Sequence, residues 1–139
     1  MILKKSNNIY ELEHACKQNS VAFQFHECSD LNLPDTQTYD LIFIDTWHVY
    51  AQLKRELEKF HKLSNKYIAM HDTTVDGIYG ETNRIGWNPI QQSKDSGFPV
   101  DEILCGLQRA VDEFLEEHQE WKVKEKFEDN NGLTVFERC

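Results

Sequence analysis

Two short segments carry residues whose types and spacing could do chemistry. Asp45 and His48 stand three apart, directly after the apolar run Leu41-Ile42-Phe43-Ile44, and His71 adjoins Asp72 after Tyr67-Ile68-Ala69-Met70. Carboxylate oxygens beside an imidazole can hold a divalent ion such as Mg²⁺ or Mn²⁺, or set up a general base. The same residue types also serve as helix caps and turn formers, so Asp45-Thr46 and Asp72-Thr73 have a purely structural reading too. Recurrence at two successive strand ends weighs for a site, because ligands of open α/β sheets bind at the carboxyl edge of the strands. Trp47 and Tyr50 flank His48 and could line a pocket or pack in the core. His14, His61 and His118 fall among charged neighbours on helices or their ends and read as solvent-exposed, and His26 ends a strand with no assigned role.

The elements that would position these residues follow from periodicity. Asn7 or Asn8 is placed to cap a helix with Ile9, Leu12, Ala15 and Cys16 on one face, and Val21 to Phe25 alternates like a strand. Ser29 to Thr38 is polar, contains Pro34 and reads as a loop. Tyr39 to Asp45 has four consecutive large apolar residues, the pattern of a strand buried on both faces of a parallel sheet. Val49, Leu53, Leu57, Phe60 and Leu63 then recur at helical steps, and Lys66 to Met70 reads as a second strand, completing a βαβ unit. Residues 73–100 have no persistent period and hold four of the six glycines, which predicts a long loop or lid. Asp101 would cap a third helix with Ile103, Leu107, Ala110, Val111 and Phe114 inward. Trp121 to Phe127 and Leu133 to Glu137, joined around Asn130-Asn131-Gly132, predict an antiparallel hairpin with Trp121 and Phe127 in the core.

The bulk properties narrow the field of partners. The 139 residues suffice for a single α/β domain over 1–139, and 24 acidic against 15 basic residues leave a formal charge of −9. That field repels phosphate backbones and anionic membranes, which argues against nucleic acid and membrane partners. Cys16, Cys28, Cys105 and Cys139 form no closely spaced pair and read as reduced thiols of a cytoplasmic protein.

Taken together, YDLIFIDTWHVYAQLKRELEKF, KYIAMHDTT and EFLEEHQEWKVKEKFEDNNGLTVFER resemble the C-terminal part of a class I S-adenosylmethionine-dependent methyltransferase. The likeness is strongest to the subgroup with cephalosporin-hydroxylase-like and macrolide O-methyltransferase-like proteins. It implies a truncated Rossmann-like three-layer sandwich, with a mainly parallel sheet and a C-terminal antiparallel hairpin. It also implies that Asp45, His71 and Asp72 are metal ligands for Mg²⁺ or Mn²⁺, and that His48 is a catalytic base. Glu27, Ser29 and Asp30 match the adenine-side loop of the cofactor site. A histidine at position 71, where metal-binding relatives carry a second acid, departs from the pattern. So does the absence of any glycine before Gly77, since the family opens with a glycine-rich cofactor turn. Weak or absent S-adenosylmethionine binding by the chain alone is the expectation.

Three functions compete on these residues. The first is a remnant or half of a metal-assisted O-methyltransferase acting on a small molecule. The second is a non-catalytic oligomerising module, and the third a small metal-dependent enzyme that does not use the methyl donor. Without the family's first two strands, Tyr39 to Asp45 would present an open edge, which predicts a homo-oligomer or a partner chain covering it.

Overall fold

The computed structural model describes residues 6–139. Contacts group the chain into two compact units, Met1–Pro34 and Asp35–Cys139. In the first, helix α1 (Asn7–Gln18) starts after Ser6 rather than at Asn7 or Asn8 and buries none of its residues, and a 3₁₀ turn spans Asp30–Asn32. Val21 to Phe25 forms no strand, because its backbone finds no ladder partner, and Val21 is 56% exposed. Alternation alone does not make a strand without a neighbour to pair with.

The second unit holds a four-stranded sheet in the order β1-β2-β4-β3, from β1 (Tyr39–Ile44), β2 (Ser64–His71), β3 (Trp121–Phe127) and β4 (Leu133–Arg138). β1 runs parallel to β2, while β4 is antiparallel to both β2 and β3. Only β4 therefore opposes the common direction, and the fold is the expected Rossmann-like α/β arrangement with a C-terminal antiparallel hairpin. Helix α2 (Tyr50–Phe60) makes the crossover from β1 to β2, with Leu53 and Leu57 buried as its period requires.

The layer of α2 and α6 (Leu107–Glu117) closes one sheet face. Phe114 of α6 stacks on Phe136 of β4, with ring centroids 5.5 Å apart, and both are almost fully buried. Burying each such ring contributes roughly 1.5–3 kcal/mol. Burial of β1 on both faces is not what the structure has. Ile44 is 6% exposed, but Leu41 and Phe43 are 55% and 57% exposed. β1 is the edge strand of the sheet, and alternate side chains of a strand point to opposite faces, so only one of its faces meets α2 and α6. Phe127, expected in the core, is 46% exposed near the end of β3, whereas Trp121 is buried as expected.

The third predicted helix is two: α5 (Val100–Ile103) and α6. They part at Gly106, where a Cβ would stand 2.3 Å from the carbonyl oxygen of Gly77, so the backbone there presses on another backbone too closely for a side chain. The inward residues Ile103, Leu107, Ala110, Val111 and Phe114 are all buried as the period indicates. The stretch from Thr73 to Val100 contains α3 (Gly80–Ile85) and α4 (Pro89–Ser96). Both are too short to show an apolar period. α4 has local signals: Asn88 caps it by accepting from the N–H groups of Ile90 and Gln91, and Pro89 occupies its first turn.

Candidate functional site

Parallel pairing of β1 with β2 sets Ile44 beside Met70, so Asp45 and His71 leave the sheet side by side at its carboxyl edge. The structure brings together all four residues singled out there. His48 lies at the centre: its Nε2 is 3.1 Å from Oδ1 of Asp45, and its Nδ1 is 3.1 Å from Oδ2 of Asp72. Nδ1 of His71 is 3.4 Å from that same Asp72 oxygen. Donor atoms of Asp45, His71 and Asp72 all fall within 4.8 Å of one another. Asp72 is 8% exposed, and its Oδ1 is buried with no hydrogen-bond partner. Its backbone has φ +57°, a left-handed conformation that aspartate tolerates better than most residues.

Three further residues complete the cluster. Asp76, fully buried, places Oδ2 3.3 Å from Nδ1 of His48 and takes a two-pronged ion pair from Arg84, at 2.7 and 2.9 Å. Glu81 accepts from the backbone N–H of His48 at 3.2 Å, and its own N–H donates to the His48 carbonyl at 2.8 Å. Asp76 was legible in part, as an acid four residues after Asp72; Glu81 and Arg84 lie in a stretch without period and gave no such signal. Pairing with Asp76 pushes the Arg84 guanidinium further above its ordinary range. Nδ1 of His48 is thus buried close to two carboxylates, yet makes a well-aligned hydrogen bond with neither. Four carboxylates gather around two imidazoles and one guanidinium, an excess of acidic groups that suits a cation.

The loop bearing Asp72 and Asp76 is held from two sides. The hairpin turn reaches it through the Asn131 carbonyl, which accepts from the N–H groups of Thr74 and Val75 at 3.0 and 2.9 Å. On the other side the first N–H groups of α6, at Leu107 and Gln108, bond to the carbonyls of Asp76 and Gly77 at 3.0 and 2.9 Å. These helix-end donors have no intrahelical partner, so the loop satisfies them while they fix the loop. Beside His48 and His71 a small recess is lined by Ile44, Trp47, Leu53, Met70 and Leu107, with Thr46 and the buried Glu56, joined by a 2.6 Å hydrogen bond. Tyr50 is core at 1% exposure, while Trp47 is half-buried and stacks on Phe98.

Glu27, Ser29 and Asp30 belong to the first compact unit, where Glu27 is exposed and the Ser29 hydroxyl lies 3.4 Å from Oδ1 of Asp30. His14 is exposed as expected. His61 and His118 are not: His61 is 8% exposed and His118 is half-buried. Each sits at a helix end folded onto Phe114, which covers the ring that charged neighbours in sequence suggest is exposed.

No family model and no curated protein matches the sequence. Among solved structures, the chain is similar to that of a "putative caffeoyl-CoA O-methyltransferase" from Staphylococcus aureus, with a TM-score of 0.54 and 12% identity. The match covers 98% of this chain and 62% of that one, so the chain spans less than two thirds of its length. At that identity the likeness defines the fold, which is methyltransferase-like and Rossmann-like. Among the described residues no helix is long and apolar enough to cross a membrane.

Proposed function

We propose that this chain carries the metal and proton-transfer half of an O-methyltransferase-like site, with Asp45, His71 and Asp72 as ligands for Mg²⁺ or Mn²⁺. The observation that supports it most is at Asp72, whose Oδ1 is buried without a partner and which offers a carboxylate oxygen within 4.8 Å of donor atoms of Asp45 and His71. Burying a carboxylate oxygen without a partner is costly, and a hard cation bound by oxygens removes that cost. The donor set fits such an ion, with two carboxylates and one imidazole. When bound, the ion would act as a Lewis acid on the hydroxyl of a small-molecule substrate. His48 would accept the hydroxyl proton on Nε2, with Glu81 holding its backbone N–H and the Asp72 and Asp76 carboxylates flanking Nδ1. The likeness of fold to an O-methyltransferase supports the reaction class by analogy. The chain has no glycine before Gly77, so S-adenosylmethionine would need residues beyond those present here.

Melting the protein with and without Mn²⁺ tests this reading, since an ion that binds only the folded state raises its melting temperature. A rise in the wild type that disappears in Asp45→Asn and Asp72→Asn is the expected result. An equal rise in the variants, or none in the wild type, rejects the site.

A second reading, an oligomerising module or one that docks a partner chain, is favoured by a separate observation. The edge strand β1 exposes Tyr39, Leu41 and Phe43.

A further inference from the structure

We propose a second cation site, of the imidazole-rich kind that Zn²⁺ fills, formed by Glu58, His61 and His118 where the C-terminal ends of α2 and α6 meet. His61 follows the last residue of α2, His118 follows the last of α6, and Glu58 lies in the final turn of α2. One donor atom from each of the three falls within 4.8 Å of the others.

The buried histidine points to a ligand. His61 is 8% exposed, and both of its ring nitrogens are buried without a hydrogen-bond partner. Packing against Phe114, at 5.6 Å between ring centroids, explains why a ring is there but not why that ring carries two unsatisfied nitrogens. A phenylalanine would pack without that penalty.

The second histidine is oriented as metal-binding histidines are. Nδ1 of His118 lies 3.3 Å from Oε1 of Glu120, while its Nε2 is 3.7 Å from Oε2 of Glu58. A carboxylate holding one ring nitrogen leaves the other free to ligate. The two rings lie 4.2 Å apart, too close for both to carry a proton's charge comfortably. Burial first, and the neighbouring His118 second, hold His61 below its ordinary pKa, which favours the neutral form that binds metal. Glu58 is held ionised by Lys62, which takes its other oxygen, Oε1, at 2.8 Å. The partial negative charge at two helix C-termini adds to the attraction for a cation.

Ligand atoms around a tetrahedral zinc stand roughly 3.4 Å apart, so the 3.7 Å between Nε2 of His118 and Oε2 of Glu58 must close slightly. Glu58, 59% exposed, has the freedom to do so. Two imidazoles favour Zn²⁺ over the Mg²⁺ or Mn²⁺ suited to the carboxylate-rich cluster around Asp72. The bound ion would pin the end of α2 to the end of α6.

Calorimetric titration of the metal-stripped protein with Zn²⁺, paired with melting curves, tests this. Binding should persist in Asp72→Asn and in His14→Gln, which removes an exposed histidine, and weaken about tenfold or more in His118→Gln and Glu58→Gln. His61→Phe, which fills the same space, should abolish it while the metal-free protein melts no lower than wild type. If His61→Phe fails to fold, the two milder variants decide. Zn²⁺ affinity unchanged in His118→Gln and Glu58→Gln, or lost in Asp72→Asn, overturns the assignment.

Discussion

Nδ1 of His48 lies 3.1 Å from Oδ2 of Asp72, and the aspartate reaches that position from a backbone turned to φ +57°. A residue with a Cβ but no polar side chain pays for the left-handed conformation, whereas glycine adopts it freely. Asp72→Ala should therefore be less stable than Asp72→Gly by about 1 kcal/mol, against the usual order for these two residues. Urea unfolding of both variants measures the difference. Equal stabilities would show that the turn relaxes once the carboxylate is gone.

Asp76 is wholly buried and bound by both prongs of Arg84. Asp76→Asn keeps the shape but removes the charge, and should cost about 1–3 kcal/mol, because a hydrogen bond to charge is lost in a buried place. The partly exposed Arg84 can hydrate instead, which keeps the cost below that of a fully buried pair. Asp112→Asn, on the exposed face of α6, should stay within about 0.5 kcal/mol of wild type.

The turn that shapes the loop can be tested at a distance from the acids. Gly132 has φ +99°, and a Cβ there would stand 2.3 Å from Oγ1 of Thr74. Gly132→Ala should lower stability by about 1–3 kcal/mol and also weaken the Mn²⁺-induced rise in melting temperature, since it pushes on the segment that holds Asp72 and Asp76. A stability loss with the metal response intact would separate the hairpin from the site.

Acid should weaken the packing of α2 on α6. The Tyr50 hydroxyl donates to Oε2 of Glu113 at 2.5 Å, and this bond, assisted by Arg109, holds the Glu113 carboxyl below its ordinary value of 4.5, against the opposing effect of burial. A depressed folded-state pKa means the unfolded chain binds the proton more readily. The contribution is therefore present above about pH 4.5 and is lost as pH falls through the folded value. Chemical unfolding between pH 3 and 6 should show a shallower slope for Tyr50→Phe than for wild type. An unchanged slope would assign the acid sensitivity to other carboxylates.

Much of this was written in local pattern. The period of Val49, Leu53 and Leu57 gave α2, the Asn130-Asn131-Gly132 turn gave the hairpin, and the recurrence of Asp and His at two strand ends brought Asp45, His48, His71 and Asp72 together. What escaped depends on neighbours remote in sequence. The burial of β1 is decided by its place at the sheet edge, which a run of apolar residues does not encode. The break between α5 and α6 comes from the backbone around Gly77 pressing on Gly106. Arg84 and Glu81 enter the site through a six-residue helix too short for periodicity, and His61 is buried by Phe114, a residue of another helix.

The exposed face of β1 yields the last prediction, self-association. β1 pairs with β2 on one side and stands at the sheet edge on the other, and Leu41 and Phe43 are each more than half exposed. Open apolar edges recruit further strands, because the row of unpaired N–H and C=O groups and the side chains beside it are satisfied together. A second copy pairing β1 with β1 about a two-fold axis meets both needs with the same residues. Asp40 and Lys66, 3.4 Å apart on the adjoining strands, offer little resistance, since an exposed ion pair is worth under about 1 kcal/mol. Light scattering at micromolar concentration should therefore report a dimer or larger species. The double variant Leu41→Lys with Phe43→Lys should be monomeric and keep the wild-type circular dichroism spectrum, because both side chains face solvent in the single chain. A wild-type monomer whose Leu41 to Ile44 amides are strongly protected from hydrogen exchange would show instead that the chain shields this edge itself.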